Sequence, residues 1–181
     1  MILCKQHACR EAIAWVDDKT PYAAWRLCNR GDWLLWVAAK LAVDRKLVVL
    51  AACDCAERSM QYVMAGEDRP RMAIETARRW CDGRASLNEV RTAAYAASDA
   101  SYAASDADDT SAFYASNASY ASAYAASYAA YAAFYAASNA DDAFAAFDNT
   151  LAECAKIVRR RIGWKVMRKA LSERIQREQE E

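Results

Sequence analysis

Apolar positions along this chain recur at steps of three and four residues, and nothing sustains the two-residue alternation of a strand. Ala8 to Val16 predicts a short amphipathic helix, ended by Asp17-Asp18-Lys19. Thr20-Pro21 reads as an N-cap followed by proline at the first helical position. It opens a second helix to about Asn29, with Gly31 where a C-terminal αL residue is expected. Asp32 is placed to cap a third helix, Trp33 to Val43, and Asp44 a fourth, Arg45 to about Met64. The centre of the fourth, LVVLAACDCA, is apolar on nearly every side, which predicts a central position. Pro70 opens a fifth helix that ends near Asp82, before Gly83. Ser86 and Glu89 have the spacing of a capping box, as do Thr150 and Glu153. After Thr150, Leu151, Ala155, Val158 and Ile162 step by four, three and four. Gly163 then kinks or breaks the helix before a basic amphipathic segment, Trp164 to about Gln176. Val48-Val49-Leu50 is too short for a strand, so the fold class is all-α, a multi-helix bundle.

Ala93 to Phe147 differs from its flanks. It consists almost wholly of Ala, Ser, Tyr, Phe, Asp and Asn, with no Gly, Pro, Cys or basic residue. Its aromatics keep helical phase: Tyr95, Tyr102, Phe113, Tyr120, Tyr124, Tyr128, Tyr131 and Tyr135 fall in a fan of roughly 80° at ~100° per residue. Asp99, Asp106 and Asp109 share that face in its first half, which makes it a poor core face, because unpaired buried carboxylates are costly. Two arrangements follow. Either the Tyr stripe is buried, or the Ala side is buried and an acidic, aromatic ridge faces out. A single helix from Ala94 to Ser138 would be ~68 Å long, against a diameter of ~41 Å for a compact domain of this length. A long projecting helix or a helical hairpin is therefore expected, with reversals at Asn139 to Asp142 and near Asp108-Asp109-Thr110. The first half of the tract reads as surface, and Phe113 to Tyr135 as buried or paired. The chain thus divides into an N-terminal helical bundle (1–92), the Ala/Tyr tract (93–147) and basic helices that pack back (148–181), forming one domain.

Charge sharpens this division. The 24 basic and 24 acidic residues balance, which argues against a general nucleic-acid binder. Yet Thr92 to Asn149 holds seven Asp and no Lys or Arg, while Thr150 to Glu181 holds nine basic and five acidic residues. Pairing of the two within the fold needs no further partner, and Arg159, Arg160, Arg161, Lys165, Arg168 and Lys169 are its candidates. No apolar run has membrane-spanning length. Seven Cys with no secretory leader before them predict a cytoplasmic protein with free thiols.

Few residues offer chemistry. Cys4, His7, Cys9, Cys53 and Cys55 lack the spacing of a zinc site, and buried thiols explain them without a metal. Asp54 sits in an apolar stretch and needs a cation; Arg10, Arg26 and Arg45 are candidates. Asp32, Asp44, Arg45, Asp54 and Glu75 are candidates for one internal polar network. No nucleophile motif, carboxylate pair or glycine-rich phosphate loop stands out, so no cofactor, metal or catalysis is expected. Most of the six Trp suit a core, whereas Trp33 and Trp36 also suit a partner anchor.

Several runs carry a family resemblance. CREAIAWV, RGDWLLW at Arg30 to Trp36, VDRKLVVLAACDCAE at Val43 to Glu57, DRPRMAIETARRW at Asp68 to Trp80 and AECAKIVRRRI at Ala152 to Ile162 resemble the immunity proteins linked to bacterial polymorphic toxins, which have phage relatives. The resemblance implies a non-enzymatic, immunity-like module that neutralises a toxin or effector by direct contact. Tyr95, Asp99, Tyr102, Asp106 and Asp109, with Trp33 and Trp36, are the candidate contact residues for a protein partner. Two rivals stand beside it. One is a counter-defence protein that sequesters a small anionic, nucleotide-like ligand. The other is a structural protein that oligomerises through the Tyr/Ala tract.

Overall fold

The computed structural model describes residues 8–106, 109–120 and 125–180. The regular elements among them are all helical. They are α1 (Arg10–Val16), α2 (Pro21–Leu27), α3 (Gly31–Lys40), α4 (Arg45–Ala56), a 3-10 segment (Glu57–Tyr62), α5 (Arg69–Cys81), α6 (Leu87–Asp106), α7 (Thr110–Tyr120), α8 (Ala125–Tyr135), α9 (Ala140–Arg161) and α10 (Trp164–Glu180). No helix among the described residues is long and apolar enough to cross a membrane.

Local chemistry sets most boundaries. Thr20 Oγ1 accepts from the Ala23 amide, with Pro21 opening α2. Asp44 caps α4 by accepting from the Lys46 and Leu47 amides. Ser86 and Glu89 form the reciprocal capping box. Gly83 follows α5 at φ 76°, a left-handed conformation that glycine adopts without strain.

Four expectations need correction. Gly31 is not a left-handed terminator; it opens α3 and is buried. A Cβ at Gly31 would lie 2.5 Å from Cys154 Cβ and 2.8 Å from the Ala155 nitrogen, so the bare glycine lets α3 meet the backbone of α9. Asp32 lies within the first turn of α3 rather than before it, and Arg30 occupies the cap position. The fourth helix ends at Ala56 and tightens into the 3-10 segment. Thr150 does not start a helix: α9 begins at Ala140, because the Asn139 side chain accepts from the Asp142 amide and caps it first.

α4 is central and touches α3, α5, α7, α8 and α9. Around it α5, α6, α7, α8 and α9 follow in series, each packed on the next. The tract is therefore neither one helix nor one hairpin. It forms α6, α7, α8 and the start of α9, and the composition boundaries at 92 and 147 fall inside α6 and α9. Folding back lets the Ala faces be covered, which a projecting helix cannot do. The buried alanines are Ala97, Ala100 and Ala104 on α6, Ala112, Ala115 and Ala118 on α7, and Ala125, Ala126, Ala129, Ala130, Ala132 and Ala133 on α8, with Ser101 and Ser116 buried among them. Of the second-half rings expected to be buried or paired, Tyr131 and Tyr135 are paired by stacking yet stay 40% and 47% exposed, because the Ala side takes the interior.

Candidate protein-binding surface

The polar groups of the core serve the fold. Asp54, 11% exposed at its side chain, joins three helices. Its Oδ1 accepts from Arg78 Nη2 on α5 at 2.7 Å, and its Oδ2 accepts from Arg161 Nε on α9 at 2.6 Å. Arg78 also pairs with Glu57 at 2.8 Å. Arg78 and Arg161 thus replace the expected partners Arg10, Arg26 and Arg45, since α5 and α9 flank the side of α4 that carries Asp54. Asp32, Asp44, Arg45, Asp54 and Glu75 do not form one network. Asp32 pairs bidentately with Arg30, Asp44 is occupied as a cap, and Arg45 and Glu75 are exposed.

The thiols are similarly enclosed. Burial pushes the Cys53 thiol up to about 12. A hydrogen bond with Cys154 and burial raise Cys55 well above the ordinary thiol range. Cys9 is exposed, Cys53 and Cys55 are buried, and Cys4 and His7 lie outside the described residues. Among the described residues no group of three or more His, Cys, Asp or Glu side chains is arranged to hold a metal ion.

The outer side of α6 differs in kind. Ala97, Ala100 and Ala104 turn inward, leaving Tyr95 58% and Tyr102 64% exposed, with Asp99 and Asp106 exposed beside them. Tyr to Asp steps by four, so each ring stands next to a carboxylate on one helix face. Asp109, the fifth expected member, is withdrawn from this ridge. It is half-buried and caps α7 by accepting from the Ala112 amide at 3.0 Å and Ser111 Oγ at 2.8 Å. Nor do the C-terminal cations cover the ridge. Arg159 donates to the Cys28 carbonyl, Arg161 binds Asp54, and α10 packs on α2. Among the described residues neither Asp99 nor Asp106 forms an ion pair.

A second aromatic surface was missed in sequence. Tyr114 on α7 stacks on Tyr131 and Tyr135 of α8, with centroids 5.1 Å away in both cases. Tyr131 continues to Phe147 at 5.0 Å, and Phe134 to Phe144 at 5.4 Å. Phe144 is 64% exposed. Tyr114 lies off the phase of the stripe, and only the reversal between α7 and α8 aligns it. Burial raises its phenol above the ordinary tyrosine range. Asp108 and Tyr124 lie outside the described residues.

Trp33 and Trp36 are half-buried. Trp33 makes an edge contact with Trp15 at 6.2 Å and lies under the Arg30 guanidinium at 4.5 Å, and Lys40 sits over Trp36 at 5.7 Å. Both rings have neighbours within the chain. A shallow depression lined by Ala42, Glu173, Gln176, Arg177 and Glu180 carries more negative than positive charge, a poor match for an anionic ligand.

A family model described as Imm-5 like putative immunity protein matches residues 41–164, well over half of the chain. That span includes α4 to α9, and with them the Asp54 junction and the α6 ridge. No curated protein and no solved structure matches the chain.

Proposed function

The chain belongs to the Imm-5 like immunity protein family, and from that premise we propose that it is a non-enzymatic protein that neutralises a toxin or effector by direct contact through the outer face of α6. The observation that carries this reading is the orientation of that helix. Ala97, Ala100 and Ala104 are enclosed, while Tyr95, Asp99, Tyr102 and Asp106 face solvent. Burying alanine and exposing tyrosine costs apolar burial, and a contact surface accounts for it. Tyr supplies area at low entropic cost, and Asp supplies charge selection against wrong partners. The charged residues of the interior are engaged in helix junctions and caps, which fits a binding role better than catalysis.

Co-expression with the toxin of a neighbouring reading frame tests this. Rescue of growth and a co-purifying complex are expected. The exposed double substitution Asp99→Asn with Asp106→Asn is expected to abolish rescue at unchanged thermal stability. Full rescue by that variant would move the contact to another face, and a chain that binds no co-encoded or host protein would reject direct contact.

A further inference from the structure

The outer face of α6 repeats itself. Residues 93–99 read AAYAASD and 100–106 read ASYAASD, differing at one position. The repeat is spatial as well. Ala97 and Ala104, 0% and 1% exposed, take equivalent inward places, and Tyr95 and Tyr102, like Asp99 and Asp106, take equivalent outward ones. Seven residues at a rise of 1.5 Å set the two ring-and-carboxylate units ~10.5 Å apart, with only ~20° of rotation between them. Arg69 is within electrostatic reach of Asp99. Its guanidinium, however, is held by Glu67 through bonds of 2.8 and 2.5 Å.

This period selects among partner backbones. A helix returns a side chain to the same face every seven residues at a matching ~10.5 Å. A strand does so at ~6.7 or ~13.4 Å, and a polyproline helix at ~9.3 Å. We propose that the α6 ridge docks a basic α-helix of the partner protein, with arginines recurring every seventh residue, each guanidinium seated against a Tyr ring and the carboxylate four residues on. The inference rests on the direct-contact reading above and names the chemistry of the partner's segment. Arginine fits better than lysine, because its planar group stacks on an aromatic face and meets a carboxylate with two parallel bonds. Within this chain arginines stand seven apart at Arg71 and Arg78, Arg84 and Arg91, and Arg161 and Arg168, but Arg78 and Arg161 are bound to Asp54 and Arg84 to Asp82 ahead of α6, so in a second copy each pair has one member already engaged.

Calorimetric titration of the full chain with designed Ala-rich peptides of about 22 residues, long enough to be helical, tests the fit. Four peptides of equal charge are compared: arginines seven apart, arginines five apart, lysines seven apart, and a proline-rich chain with arginine every third residue. The first is expected to bind at least about tenfold tighter than the second, a difference of about 1.4 kcal/mol. Tyr102→Ser and Asp106→Asn are each expected to weaken it about fivefold with an unchanged circular dichroism spectrum. Equal binding of the first two peptides would reduce the effect to diffuse charge and overturn the proposal, as would preference for the proline-rich chain or no binding at all. Self-association in light scattering that Asp99→Asn abolishes would assign the ridge to a second copy and overturn it too. If the peptides fail while toxin rescue remains sensitive to the ridge, the helical partner is rejected and direct contact stands.

Discussion

Leu35, Leu151, Val158 and Ile162, each 0% or 1% exposed, fill the space around α3, α4 and α9, whereas α6, α7 and α8 enclose alanine with Ser101 and Ser116 and leave their rings at the rim. The first region is held by large side chains that interlock. The second is held by close approach of small ones, with aromatic stacking added from outside. The lesson concerns what each region tolerates. A core of large residues suffers when atoms are removed, because a cavity remains. A seam of alanines suffers when atoms are added, because nothing can give way.

The largest expected effect comes from the first region. Leu35→Ala should cost about 3 kcal/mol in urea unfolding, while Tyr102→Ala, on the exposed ridge, should stay within about 0.5 kcal/mol. Ala130, 0% exposed on α8 against the core, gives the converse. Ala130→Leu should destabilise by about 2 kcal/mol, and a neutral result would show that the seam is loose and break the comparison. The alkaline limb comes next. The folded Cys53 thiol titrates at about 12, above its unfolded value, so its contribution is intact below the unfolded value and is lost as pH rises toward the folded one. Between about pH 9 and 10.5 this is worth about 2 kcal/mol, and Cys53→Ala should flatten that part of the stability profile by a similar amount. The smallest effect is stabilising. Ala42 ends α3 at φ 56°, with the Val43 amide donating to the Ala38 carbonyl, so alanine stands where helix ends prefer glycine. Ala42→Gly should raise stability by about 0.5–1 kcal/mol.

The sequence was most informative where a local signal decides the outcome. Caps at Thr20, Asp44 and Ser86 and the turn at Gly83 depend on neighbours within a few residues, and each was legible. The all-α class and the outward ridge of α6 followed from periodicity and from the cost of burying Asp99 and Asp106. What could not be read depends on distant partners. Gly31 has the look of a helix terminator until Cys154 is placed against it, 123 positions later in the chain. Asp54 clearly needed a cation, but Arg78 and Arg161 reach it only through the packing of α5 and α9 on α4. Thr150 and Glu153 have the letters of a capping box, yet Asn139 had already begun the helix, so the spacing was never used.

The division of aromatics also gives the molecule two separate optical reporters. All six Trp lie outside residues 92–149, while eight of the ten Tyr lie inside them. Tyr114 and Tyr135, stacked with planes at 0° and centroids 5.1 Å apart, are close enough for their transitions to couple. Near-ultraviolet dichroism of the tyrosine band therefore follows the alanine seam, and tryptophan emission follows the rest, so one unlabelled sample reveals whether the two regions melt together or apart.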